Sequence, residues 1–270
     1  MAGFASREAI VPARTAAQFQ DWIIQKAAVT AQAAGQWVSY FAATGAPGAG
    51  TDPSTSWATC TDLAGTMTFA APGGSYRRYL TGAQIVASLA GTLMVYDRLG
   101  HMSQSITADG VKTITATLPA RYSGADTGDL AQIQAWVEVT TQTATTAATL
   151  SLSSYSNEAG TSGRAGATIV LPATATPVRW MAQLPLQAGD KGVSAINTMT
   201  VATHPTAGVV NIILLRPLLF IPLALANVAT IIDRLTSLPR VYDGSSLCLA
   251  MQCDASTGRT VQGKLDFTYN

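Results

Sequence analysis

Charge is scarce in this sequence. Only 11% of its 270 residues are Asp, Glu, Lys or Arg, where soluble domains carry about a quarter. The formal net charge is +1, so no strong field of either sign exists, and neither nucleic acid nor a membrane surface is expected as a partner. Histidine is scarcer still. His101 and His204 are the only two and form no H-x-x-x-H pair, which removes a common zinc motif. The three cysteines, Cys60, Cys248 and Cys253, are odd in number, which argues against a disulfide framework. Cys248 and Cys253 fall on opposite faces of a predicted strand, so buried free thiols are expected, and no cofactor is implied. The first residues, MAGFASREAIVPART, show neither the basic start nor the roughly 7–15-residue apolar core expected of a secretory leader.

Lysine is also rare: 4 of the 16 cations are Lys and 12 are Arg. Arginine is favoured at interfaces because its planar fork holds carboxylates and stacks on rings, so the bias suggests subunit contacts. Apolar residues make up 48% of the chain, and Thr, Ser, Ala and Gly replace the missing charge. That composition is common in particle-forming β proteins. No uninterrupted apolar run approaches the roughly 20 residues of a membrane-spanning helix. The nearest, Val209–Leu223 (VVNIILLRPLLFIPL), is broken by Asn211, Arg216, Pro217 and Pro222. Its prolines favour extended chain over helix, with a bend at Arg216–Pro217 where a strand leaves one sheet for its partner. Neither half alternates, so both faces should be covered, one by the core and the other by another layer or subunit. Arg216 is therefore an interface candidate.

In chain order, three segments are expected. Residues 1–45 read as an extended arm and an amphipathic helix. A capping box at Thr15–Gln18 precedes Phe19, Trp22, Ile23, Ala27, Thr30, Ala34, Trp37 and Phe41 at three- or four-residue steps, and the helix should end near Ala43. Phe19, Trp22, Ile23, Trp37 and Phe41 form its docking stripe. Residues 46–226 open with the Gly/Pro/Ser loop Gly45–Ser56. Short alternating runs follow: Thr92–Arg98, Val111–Leu118, Ala131–Thr140, Ala148–Tyr155, Ala167–Leu171, Val178–Leu186 and Val193–Thr203. This spacing predicts an antiparallel sandwich or barrel. Residues 227–270 read as a short helix, Asn227–Leu235, and then a hairpin. Its first arm carries Leu247, Leu249, Met251 and Cys253, its second Val261, Gly263, Leu265, Phe267 and Tyr269. Leu265, Phe267 and Tyr269 form an apolar face that must lie on the sandwich or on a partner.

Chemistry is hard to find. Asp126-Thr127-Gly128 matches an aspartic-protease triplet, but that reaction needs two carboxylates sharing a proton and the triplet occurs once. Asp126 and Asp129 fall short of the 6–8 oxygens calcium takes. His101 has no G-x-S-x-G elbow or activated cysteine beside it. Gly160–Gly166 lacks the G-K-[ST] ending of a phosphate loop. Trp136, beside Gln134 and Glu138 on the polar side of its strand, is read as covered by a neighbouring loop or subunit, with stacking on a sugar ring as the alternative. No catalytic, cofactor or metal residue is assigned.

Four segments in order carry a resemblance: Asp97–Met102 (DRLGHM), Ser154–Gly166 (SYSNEAGTSGRAG), Leu186–Val193 (LQAGDKGV) and Leu215–Leu223 (LRPLLFIPL). Together they resemble a family of virion structural proteins of tailed bacteriophages, over roughly residues 95–225. The resemblance implies a mainly β, jelly-roll-like antiparallel β-sandwich, here with a long N-terminal helix and a small C-terminal helix plus β-hairpin. It also implies a non-enzymatic role in the virion, most simply as a head decoration or cement protein. Its partners would be copies of itself, as trimer or dimer, and other virion proteins such as the major capsid protein, with the terminal segments supplying multivalent contacts. The alternative is a carbohydrate- or receptor-binding sandwich of a tail or fibre, which needs clustered exposed aromatics; the five tryptophans are scattered in sequence.

Overall fold

The computed structural model describes residues 13, 18–29, 34–69, 76–144, 146–171, 179–233, 238–254 and 258–270, with backbone only at 142–144 and 253. Its strands are β1 (Phe19–Lys26), β2 (Trp37–Ser39), β3 (Gly45–Ala46), β4 (Ala58–Thr59), β5 (Arg78–Ala87), β6 (Gly91–Ser105), β7 (Gly110–Thr117), β8 (Gln134–Ala144) and β9 (Ala148–Asn157). They continue as β10 (Ile169–Leu171), β11 (Trp180–Gln183), β12 (Val193–Thr203), β13 (Ala207–Leu223), β14 (Thr230–Asp233), β15 (Arg240–Val241), β16 (Leu247–Cys253) and β17 (Val261–Tyr269).

The centre is a closed barrel rather than a two-sheet sandwich. β6 pairs with β13, β13 with β8, β8 with β11, β11 with β2, β2 with β16, and β16 returns to β6, all antiparallel. A barrel of six strands is narrower than the eight-stranded kind that side chains can just fill, and its lumen is packed solid. Phe41, Met94, Tyr96, Trp136, Met181, Ile213, Leu215 and Cys248 are among the residues that fill it. One flank is covered by a four-stranded sheet, β10-β9-β12-β7, and the other by a six-stranded curved sheet, β14-β5-β17-β1-β3 with β15 on β5.

β13 explains how one chain feeds both flanks. Val210, Ile212 and Leu214 enter the core under the four-stranded sheet, while Ile213 and Leu215 enter the lumen. The register slips between Leu214 and Leu215 and again between Pro217 and Leu219. Beyond that slip Leu218, Leu219, Ile221 and Leu223 join the core under the six-stranded sheet. The predicted change of sheet at Pro217 is thus a bulged passage within one continuous strand. Alternation also reads correctly in β7, where Ile114 and Ala116 are buried and Thr113, Thr115 and Thr117 are exposed.

Several expectations fail here. The long N-terminal helix does not exist: Phe19–Lys26 is strand β1 and Trp37–Ser39 is β2. Phe19, Trp22 and Ile23 would share a face at helical spacing, but at a period of two Trp22 turns inward and the other two outward. Gly35, at φ 78°, also breaks the supposed helix. Thr15 to Ala17 of the capping box, Thr30, and all of the arm except Ala13 lie outside the described residues. The C-terminal helix is absent as well, since Thr230–Asp233 is β14 on the edge of β5; residues 234–237 lie outside the described residues. The hairpin is also corrected: β16 pairs with β2 and β6 in the barrel, whereas β17 lies between β1 and β5 in the other sheet. Gly263 holds β17 against β5 at φ 150°, where a Cβ would come within 2.0 Å of the Gln84 carbonyl oxygen.

Candidate interaction surface

Asp97, Arg98, Arg164, Asp190 and Arg216 of the motif segments each form an ion pair within the chain. In the lumen, Arg98 Nη2 lies 3.2 Å from Glu138 Oε2, and both side chains are fully buried. Arg98 Nε donates to His101 Nδ1 at 3.0 Å, its guanidinium lies 4.3 Å from the Phe41 ring centre, and Asn211 donates to Glu138 and Asp52. Burial opposes the Arg98 charge, yet the Glu138 carboxylate keeps its pKa above the ordinary value. Burial, and then the Arg98 charge, press His101 down to about 3, so it is a neutral acceptor here. The partner that His101 lacked in sequence is a structural arginine.

Asp97 accepts from Arg121 (3.0 Å), Tyr122 (3.2 Å), Ser245 (3.0 Å) and the Ser246 backbone (3.0 Å). Asp129, in the turn after Asp126, accepts from Arg216 and from Tyr242 at 2.7 Å. Asp190 gathers Tyr155, Asn157 and both forks of Arg164, joining two of the motif segments. Those hydrogen bonds hold its carboxyl far below the usual range. Part of the arginine excess is therefore used inside the subunit: among the described residues Arg78, Arg98, Arg216 and Arg259 rank with the largest fully buried side chains. Cys60 and Cys248 are buried free thiols, raised by burial to about 11 and about 12.

The nine interface candidates divide sharply. Phe41, Arg216, Leu265 and Phe267 are buried within the chain itself. Trp22 packs edge-on to Phe69 at 6.2 Å. Tyr269 lies beside Arg78, 5.3 Å from ring centre to guanidinium carbon. Phe19 and Ile23 remain exposed, Ile23 at 71%. Both stand on the outer face of the six-stranded sheet. The register places Ile23, Lys264, Gln84 and Ile231 in one row across four strands, and Asp21, Asp266, Gly82 and Asp233 in the next. Ile231 is also 71% exposed. Lys264 Nζ stands 3.0 Å from Asp266 and 3.9 Å from Asp21. Two shallow hollows, about 390 and 260 Å³, lie on this face.

Trp37, the ninth candidate, stands at the barrel rim with Phe220 at 6.0 Å and Trp136 at 6.3 Å, both edge-on. The side of β8 read as polar, with Gln134, Trp136 and Glu138, turns out to face the rim and lumen. Gathering these rings needs the barrel, so sequence spacing carried no sign of it. Among the described residues no group of His, Cys, Asp and Glu is arranged to hold a metal ion, and no helix is long and apolar enough to cross a membrane.

No protein-family model matches the chain, and no curated protein matches it. Solved structures that align with it include the infectious bursal disease virus Gx strain, at 11% identity over 93% of this chain and 80% of that one, with a TM-score of 0.18. T=1 particles derived from infectious bursal virus align at 9% identity over 93% and 77%, also at 0.18. Scores this low carry no argument about fold or role.

Proposed function

We propose that this chain is a non-enzymatic structural subunit of a tailed-bacteriophage virion, a head decoration or cement protein that attaches through the outer face of its six-stranded sheet. The observation that carries the reading is that face, where exposed Phe19, Ile23 and Ile231 surround Lys264 and a row of aspartates. The motif resemblance supports it, because the charged residues of those segments hold strands and loops together. Three strands about 4.8 Å apart, each with eight residues rising about 3.3 Å, and the four-residue β14 beside them present about 440 Å². A stable pair buries about 800 Å² per partner, so one such contact is weak. Symmetric copies on a particle offset that weakness through effective concentration, which raises avidity by roughly 10²–10⁴.

The test mixes purified subunit with undecorated heads and measures the bound fraction. Ile23→Asp combined with Ile231→Asp should lower particle binding at least about tenfold, as loss of apolar anchors does, with an unchanged melting temperature. Val170→Asp, at a site 60% exposed on the opposite flank, should bind like wild type. Equal binding by all three proteins would refute the assignment.

A further inference from the structure

The barrel rim offers a site of different character. β8 last pairs with β13 at Gln134↔Leu215, whereas β13 runs on to Leu223. The edge of β13 beyond that point borders a groove of about 650 Å³, within the roughly 300–1,000 Å³ of small-molecule sites. Gln132, Gln134, Pro217, Phe220 and Ile232 are among its walls, and among the described residues no charged side chain lines it. Arg216 and Asp129, next to these walls in sequence, are bound to each other.

Phe220 is 50% exposed, and Trp37 holds its ring from the edge at 6.0 Å. Gln134 accepts the Trp136 indole N–H at 2.9 Å, which fixes its amide plane and leaves the NH₂ donors for a ligand. An exposed ring, two neutral amides and no charged wall residue among those described suit a molecule with apolar C–H faces and hydroxyls that both donate and accept. An added peptide strand suits the edge less well. Pro217 and Pro222 have no N–H to give a ladder, and the Pro222 carbonyl already accepts Thr230 Oγ1 at 3.2 Å.

We propose that this groove binds a neutral saccharide, with Phe220 under the C–H face of one sugar ring and the Gln132 and Gln134 amides on its hydroxyls. Calorimetric titration with maltohexaose, cellohexaose, chitohexaose, polygalacturonate and an extended valine-rich peptide tests it on the full chain. At least one neutral sugar should bind with Kd at or below about 1 mM. Phe220→Ala and Gln134→Leu should each weaken it at least about tenfold, Phe220→Tyr should retain it, and the melting temperature should not move. Should Phe220→Ala lower the melting temperature, exposed Gln132→Ala provides the same comparison. No neutral sugar bound by about 10 mM, binding indifferent to these substitutions, or preference for polygalacturonate or the peptide would each overturn the proposal.

Discussion

The two sheets that flank the barrel have similar inner faces and dissimilar outer ones. Both bury aliphatic and aromatic side chains against barrel strands, Leu150, Leu152 and Tyr155 on one side and Leu80, Leu265 and Phe267 on the other. Outside, the four-stranded sheet is a lattice of hydroxyls that bond to one another: Ser153 with Thr198 at 2.9 Å, Thr203 with Thr149 at 2.7 Å. Its exposed apolar residues, Val111 and Val170, stand on its two edge strands. The six-stranded sheet instead sets Phe19, Ile23 and Ile231 among charges. Scattered apolar residues are ordinary on a protein surface, whereas grouped ones mark contact. Two layers built on one scaffold thus differ only where folding does not constrain them.

The largest effects should come from the faces the two sheets share. Phe267→Ala and Leu152→Ala each delete a fully buried side chain and should lower unfolding free energy by about 3–5 and about 2–5 kcal/mol. Urea unfolding checks both. A loss confined to one flank would show that the two cores melt separately.

The ionic centres of the two flanks should respond to pH in separate windows, one acid and one alkaline. Asp190, beside the four-stranded sheet, has its pKa depressed from 3.8 by the Arg164, Tyr155 and Asn157 hydrogen bonds. Its contribution is complete above that ordinary value and is lost as pH falls toward the native one. Asp190→Asn should therefore lower the melting temperature at neutral pH and flatten its decline in acid, as followed by circular dichroism from neutral to strongly acidic buffer.

A smaller, alkaline effect is expected at Lys26 in the six-stranded sheet. Its ammonium donates to the carbonyls of Ala43, Pro47 and Gly48 at 3.1, 2.7 and 3.0 Å, yet burial lowers its pKa from 10.5 to about 8. Between those values the unfolded chain binds more protons than the native one, so this group makes stability rise with pH. Lys26→Met should remove that rise, which thermal melts across the window would detect.

Legibility followed the range of the forces involved. β7, β9 and β12 were readable because each has one face in a core, and alternation such as Thr113-Ile114-Thr115-Ala116 records that locally. Phe19, Trp22 and Ile23 fit a helical period better than an extended one, and that local pattern was overridden by β17, whose residues pair with theirs from the far end of the chain. Strand β17 itself was visible as a strand, but its alternation says nothing about which strands it joins. Barrel closure depends on β2 and β11, of three and four residues; β11 falls within the predicted run Val178–Leu186, whereas three residues of β2 are too few to set a period against the helical reading. The arginine excess was visible and its meaning was not, since Arg98 meets Glu138 from another strand. The rim groove was illegible for the same reason: Trp37, Trp136 and Phe220 are separated by most of the chain.

The position of β17 has a consequence for timing. A ribosome makes β1 first and β17 last among these strands, and domains fold as their parts emerge. The barrel and the hydroxylated sheet use no residue beyond β16. Until Val261–Tyr269 has emerged, β1 and β5 have nothing between them, and the row that joins Ile23 to Ile231 does not exist. A nascent or truncated chain therefore lacks this outer face, which forms only once Val261–Tyr269 has taken its place between β1 and β5.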